Sequence, residues 1–301
     1  MRLRPTLSRG LKRAVAIIVI VASFAFLAYY WRTHPEIVTQ LKSVSPLAIA
    51  AIGGLYLLMT LLLVLIYDTI LRLCAKPIPL GEHTLLTMYS SIINFFGPLQ
   101  SGPGFRTLYL KQRHNVPVKA YVTGTLLYYA LFGLVNLVFV VVGVMATAYL
   151  PLLLAGLAGS LLIVRRLAGR VGFLARFDRA LRSPLLVRLA GLTALQAVLA
   201  AIIYAVELQA VGASVSPSQA LAYAGAGSLA LFVSLTPAAL GFRESFQYVT
   251  QSLHQVSGPD IVAANVLDRS VYVAFLGLLF VLIVALHAKR RLRLPDTPGS
   301  D

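Results

Sequence analysis

The chain has 301 residues, of which 58% are hydrophobic and 12% charged, and its mean hydropathy is +0.83. Soluble domains carry about 25% charged residues, and disordered chains pair low hydrophobicity with high charge, so both classes are excluded and a polytopic membrane protein remains. Lys and Arg outnumber Asp and Glu by 26 to 10, a net charge of +16, yet these bases lie mostly between apolar runs, as in cytoplasmic loops rather than nucleic-acid surfaces. The single cysteine, Cys74, excludes an internal disulfide, a CxxC redox pair and a cysteine-rich metal site.

A membrane helix needs roughly 20 mostly apolar residues, and the chain offers such runs in order. Residues 14–31 follow Arg2, Arg4, Arg9, Lys12 and Arg13 and end in Tyr29, Tyr30 and Trp31. With no A-x-A-like cleavage site and an interfacial aromatic belt, this run reads as an uncleaved signal anchor rather than a signal peptide. Residues 46–67 form the second span, extended through Asp68 and Arg72, an i,i+4 pair. Residues 120–164 hold no charge and suit two spans with a turn near Pro151; residues 189–206, ending at Glu207, and 261–288 complete six.

Two segments are too short to cross. Residues 84–96 run into Gly97, Pro98, Gly102, Pro103 and Gly104, and residues 220–235 run into Pro237 and Gly241. Pro and Gly clusters break helices, and broken backbone at membrane depth must line a cavity or be buried in protein. Both segments are expected to be re-entrant hairpins. Basic residues concentrate in the segments that this topology places inside, which puts both termini in the cytoplasm.

The tripeptide Gly104-Phe105-Arg106 recurs 137 residues later as Gly241-Phe242-Arg243, each time after a proline-ended apolar segment (Pro98, Pro237) and before a proline (Pro117, Pro259) and a full span. The expected fold is therefore an all-α polytopic membrane protein, a single integral membrane domain over 1–301 with about six full transmembrane helices and two re-entrant broken-helix hairpins. They form an inverted-topology repeat, about 46–145 and about 185–288, joined by a basic cytoplasmic linker, 165–188. As a helix, residues 165–183 suit either an anionic inner-leaflet surface or an ordinary positive-inside loop. In transporters such repeats place the substrate between discontinuous helices.

Arg106, Arg243, Glu244, Asp268 and Arg269 fall in or beside these segments. A charge at the bilayer centre costs about 2.5–3.5 kcal/mol on insertion scales, so such residues face a partner or a cavity. Arg243-Glu244 is expected to open a helix whose free N–H groups help Arg243 attract an anion, and Asp268-Arg269 to pair with that couple. A purely structural salt-bridge network is the competing reading. Arg106 is expected nearer the cytoplasmic interface, where its side chain can snorkel.

Catalytic patterns are missing. His34, His83, His114, His254 and His287 are scattered, and no HExxH, G-x-S-x-G, Walker A or dinucleotide fingerprint occurs. Glu82-His83 at a hairpin entrance is expected to cap rather than to do acid–base work. No metal, no cofactor and no enzymatic activity is expected.

Several of these features together resemble the transmembrane region family of lysylphosphatidylglycerol synthases, flippase-like membrane proteins. They are Asn94 to Pro98 with the Gly-rich turn to Arg106, then Thr236-Pro-Ala-Ala-Leu-Gly-Phe-Arg-Glu244, then Asp268-Arg269 in a last span with a basic tail. The resemblance covers roughly residues 14–290. It implies an all-helical fold with re-entrant segments and movement of lipids between leaflets. In fused relatives a separate cytoplasmic domain makes the aminoacyl-lipid, and this chain has no room for one. Tyr128-Tyr129 stand where an acidic-Arg pair matching Asp268-Arg269 would fall, so a symmetric first-half charge site is not implied.

The expected function is that of a lipid flippase or lipid-binding transporter of the inner membrane without its own ATPase. Its ligand is a membrane lipid, with a phosphate-bearing headgroup held by Arg106, Arg243, Glu244, Asp268 and Arg269, and nucleic acid is not a partner. The alternative is a non-transporting scaffold for a separate lipid- or glycan-modifying enzyme, with a small intramembrane transferase behind it. A homodimer is compatible with either.

Overall fold

The computed structural model describes residues 42–96, 101–145, 184–232, 239 and 242–287, and all regular structure in them is helical. The elements are α1 (Pro46–Leu73), α2 (Leu80–Phe96), α3 (Gly102–His114), α4 (Val118–Val144), α5 (Pro184–Ala210), α6 (Pro217–Ala230), α7 (Phe242–Val249), α8 (Gln251–His254) and α9 (Gly258–His287). Four of them, α1, α4, α5 and α9, are long and apolar enough to cross a membrane. They carry the spans expected from 46, 120, 189 and 261: α1 begins where its run does, and α4, α5 and α9 begin two, five and three residues before theirs. The expected spans at 14–31 and in the second half of 120–164, the linker's basic residues up to 183, and the breakers Pro98, Pro237 and Gly241 lie outside the described residues.

Local chemistry sets the helix ends. Ser45 caps α1 through the Ala48 amide at 3.2 Å, with Pro46 at the first helical position. Ser216 and Gln219 form a reciprocal capping box at the start of α6, again followed by a proline, Pro217. α3 closes on Asn115 in the left-handed region, and α8 on Gln255 in the same conformation.

The packing has an internal correspondence. Exchanging α1, α2, α3 and α4 for α5, α6, α7 and α9 maps each of the main helix contacts not involving α8 onto another such contact, with α1 against α5 mapping onto itself. Particular residues follow: the left-handed turns after α1 and α5 fall at Ala75 and Gly212, 137 residues apart, and those before α4 and α9 at Asn115 and Gln255, 140 apart. α1 and α5 run antiparallel, since Asp68 near the end of α1 meets Arg188 near the start of α5, while Tyr56, further back on α1, meets Glu207 at the far end of α5.

Close approach, rather than bulk, fixes the short helices. A Cβ on Gly102 would lie 2.5 Å from the Ser90 carbonyl oxygen, so only glycine lets α3 start against α2. α6 presses on α4 in the same way: a Cβ on Gly225 would sit 2.6 Å from the Asn136 carbonyl oxygen. Small residues at helix interfaces are how membrane helices gain packing energy when lipid is as apolar as the partner. The larger apolar cluster joins α1, α5, α6 and α9 through Ile52, Leu208, Tyr223, Ile261 and Leu276. A second joins α1, α3 and α4 through Ile66, Ile70, Leu110, Tyr121 and Tyr128. Leu58, Leu126, Leu195 and Leu278 point outward and are exposed, as lipid-facing positions must be.

Candidate functional site

The five charged residues expected to matter separate into two places. Arg243 and Glu244 occupy the first turn of α7, and Asp268 and Arg269 lie a third of the way along α9. The pairs cross: Arg243 bonds Asp268, and Arg269 donates to Glu244 Oε1 at 2.9 Å. The expected pairing between the two couples is therefore present. Arg243 also donates to the Tyr204 hydroxyl at 3.3 Å, with its guanidinium 5.6 Å from that ring's centroid.

Around this core the chain adds groups that the reading of the sequence missed. Tyr56 of α1 donates to Asp268, and its oxygen lies 3.4 Å from Glu207 Oε1. Glu207, read from sequence only as the end of a span, is fully buried. Below the ion pairs, Asn265 donates to Gln247 Oε1 at 2.8 Å and to the Tyr223 hydroxyl at 3.2 Å. His254 meets the Gln247 carbonyl at 2.8 Å. Burying charge is tolerable only when each ion is paired and hydrogen-bonded, and here Arg243 and Asp268 consume each other. The free-cation role expected of Arg243 is thus weakened: a carboxylate already occupies its Nη2.

Arg106 is different. It is 3% exposed, so it does not snorkel to an interface as expected; α2, α3 and the Tyr67 ring enclose it. Its guanidinium carbon sits 3.4 Å from the Tyr67 ring centroid, a stacked cation–π contact, and its Nη1 donates to Ser90 Oγ at 3.3 Å. Its Nε is buried without an acceptor. Among the described residues no carboxylate pairs with it. Tyr128 and Tyr129, at the positions expected to match Asp268-Arg269, bring no carboxylate, and Tyr128 donates its hydroxyl to Gln196 at 3.0 Å.

The two arginines are nonetheless built alike. Arg106 lies over Tyr67 and Arg243 over Tyr204, and both the arginines and the tyrosines are 137 residues apart in the sequence. Laying the two halves over each other on the shared Gly-Phe-Arg would have found both tyrosine platforms from the sequence. α3 and α4 form an open, apolar groove of about 530 Å³ on their outer side, whose lining includes Gly104, Thr107, Lys111, Val122 and Tyr129 but not Arg106. A volume in this range suits a small ligand or part of a lipid. Gly104, expected only as a helix breaker, lines it.

Glu82 lies in the first turn of α2 and does not bond His83. It accepts from the Tyr109 hydroxyl at 2.6 Å and meets His114 Nε2 at 2.7 Å, tying the start of α2 to the end of α3. Burial alone would raise its carboxyl, but the contacts to Tyr109 and His114 outweigh that and hold it below the ordinary value. His83 is buried separately, its Nδ1 without a partner. Asp68 and Arg72 form the expected i,i+4 pair at 2.7 Å, joined by Arg188 at 3.5 Å. Among the described residues no group of histidine, cysteine and acidic side chains is arranged to hold a metal ion.

The model of one protein family, described as the lysylphosphatidylglycerol synthase TM region, matches residues 13–279. Among proteins of curated function and among solved structures, none matches the chain.

Proposed function

Because the chain belongs to the lysylphosphatidylglycerol synthase TM region family, and is an all-helical integral membrane protein, we propose that it moves a phosphate-bearing lipid between leaflets of the cytoplasmic membrane. One observation carries the reading: Arg106 is a buried guanidinium that no carboxylate pairs with among the described residues. A buried unpaired cation is costly, and a lipid phosphate supplies the missing anion with the planar, bidentate geometry that guanidinium prefers. The open apolar groove on the outer side of α3 and α4 takes the apolar part of the same molecule, and Lys111 on its lining adds a second cation for the headgroup.

In this reading the two halves divide the work. The second half, with Arg243 locked to Asp268 and Arg269 to Glu244, is the polar hinge of α7 against α9. The first half, with Tyr128 and Tyr129 in place of charges, leaves Arg106 available to the substrate. The halves form an inverted-topology repeat. The antiparallel packing of the corresponding helices α1 and α5 supports this, as does the exchange of contacts between α1 to α4 and α5, α6, α7 and α9. Lys111, Arg113 and His114 in the last turn of α3, together with Arg72 and Arg188, mark one face as cytoplasmic. The protein acts by translocation and not by catalysis, with a membrane lipid as its ligand.

The test is translocation of fluorescent lipids in vesicles containing only this protein. A phosphate-bearing lipid should cross and a lipid with an uncharged sugar headgroup should not. Failure of both to cross, with folded protein present, favours the scaffold alternative.

A further inference from the structure

We infer that Glu207 is a proton-binding site, the acid through which lipid movement is coupled to a proton. The coupling rests on the transport reading above; the proton site does not.

The argument is one of charge and geometry. The cluster holds three carboxyls, Glu207, Glu244 and Asp268, against two guanidiniums, Arg243 and Arg269. Glu244 is taken by Arg269 and Asp268 by Arg243, so among the described residues Glu207 is the carboxyl that no cation is paired with. It is fully buried, and its Oε2 meets no hydrogen-bond donor. Its Oε1 lies 3.4 Å from the Tyr56 hydroxyl, whose one proton is given to Asp268. A carboxylate left in that position faces a second carboxylate with no donor between them, and two acceptors cannot bond unless one carries a proton.

The groups that face Glu207 are accounted for on every packed element: Tyr56 from α1, Tyr204 on α5 itself, Tyr223 from α6, Arg243 from α7, and Asp268 from α9 with Arg269 behind it. On α4, the titratable group that meets α5 is Tyr128, which bonds Gln196, about three helical turns from Glu207. Tyr56 gives its proton to Asp268, Tyr204 and Tyr223 accept from Arg243 and Asn265 with no bond from either to Glu207 among the described residues, and the guanidiniums are committed. A metal ion of the sodium or calcium kind needs a larger set of oxygens than two carboxyls and a phenol, so the fitting ligand is a proton.

Glu207 sits within one turn of the end of α5 at Ala210. On release, the carboxyl O–H bond breaks, its electron pair stays on Glu207, and the proton passes to water beyond the α5–α6 connection. The new carboxylate then competes with Asp268 for the Tyr56 hydroxyl and for Arg243. That competition gives α7 two arrangements against α5 and α9, and protonation selects between them.

The test uses the full chain in lipid vesicles. In pH-difference infrared spectra the wild type should show the carbonyl stretch of a water-inaccessible protonated carboxyl at neutral pH. Glu207→Gln should lack that band, and Glu82→Gln should keep it. Its absence from the wild type, or its survival in Glu207→Gln, overturns the proton site. Gln copies the shape of a protonated Glu, so the variant should also accumulate as folded protein at the wild-type level; collapse of the yield would mean that the ionised form is the native one, and would equally overturn it. In the same vesicles an imposed pH gradient should speed wild-type lipid movement several-fold, and that ratio should fall to unity in Glu207→Gln. A gradient effect that survives the substitution overturns the coupling. A band that behaves as expected in vesicles where no lipid moves supports the proton site and refutes the transport reading instead.

Discussion

Removing Arg243 and restoring balance by a second change separates an architectural ion pair from a substrate site. Arg243 and Asp268 are both more than nine-tenths buried and bond directly, and Asp268 keeps only the Tyr56 hydroxyl if the guanidinium goes. Breaking a buried pair costs about 3–5 kcal/mol because an uncompensated charge remains. Against a whole stability of about 5–15 kcal/mol, that is enough to deplete folded Arg243→Ala in the membrane. Arg243→Ala with Asp268→Asn removes both charges, and its yield should recover to within about twofold, since buried pairs replaced by neutral groups are often no less stable. The assay is folded yield by fluorescence-detected size exclusion of membrane extracts, followed by lipid translocation on whatever variants fold. Arg243→Ala that folds at wild-type yield and moves lipid at the wild-type rate would refute the pairing argument. A double variant no better than the single would refute it as well.

Three further outcomes follow from the packing and the charges. Gly102→Ala places a Cβ 2.5 Å from the Ser90 carbonyl oxygen, and overpacking of this kind should cost about 1–3 kcal/mol, read as a lower temperature of aggregation; an unchanged midpoint would contradict the close approach of α3 to α2. Glu82 sits below its ordinary value of 4.5 in the folded protein. Its contribution is therefore complete above pH 4.5 and lost as pH falls through the lower folded value, and Glu82→Gln should flatten that acid limb in a pH series of thermal stability. With Cys74→Ser as background, Ser214→Cys should react with an impermeant thiol reagent from outside and Arg113→Cys from inside. Labelling of both from one side would overturn the inverted orientation.

Much of this architecture is legible in the sequence because hydropathy and helix breakers report directly on what a bilayer tolerates. The runs beginning at residues 46, 120, 189 and 261 become α1, α4, α5 and α9, and the Gly102-Pro103-Gly104 break falls at the start of α3. The crossing of Arg243-Glu244 with Asp268-Arg269 is readable too, since charges in apolar surroundings must find each other. Tertiary partnership is less readable. Tyr56 and Tyr204 look like ordinary aromatic positions of a span, and Glu207 looks like its polar end, until helix packing brings Tyr56 and Asp268 onto Glu207. The enclosure of Arg106 has the same origin: Tyr67 of α1 and Ser90 of α2 lie against it, and a linear reading leaves those helices apart. The 137-residue offset of the two Gly-Phe-Arg tripeptides reaches further than the arginines, superposing Tyr67 on Tyr204 and Ala75 on Gly212.

The most direct test of the central claim is lipid translocation by Arg106→Gln in vesicles. Its folded-state losses are small, a cation–π contact of about 0.5–2 kcal/mol and hydrogen bonds of about 1 kcal/mol each, and removing the charge lifts its burial cost, so the variant should fold. If Arg106 is the cation that receives the lipid phosphate, well-folded Arg106→Gln should lose movement of the phosphate-bearing lipid, and Arg106→Lys, which keeps charge without the planar fork, should recover only part of it. Wild-type translocation by well-folded Arg106→Gln would contradict the account.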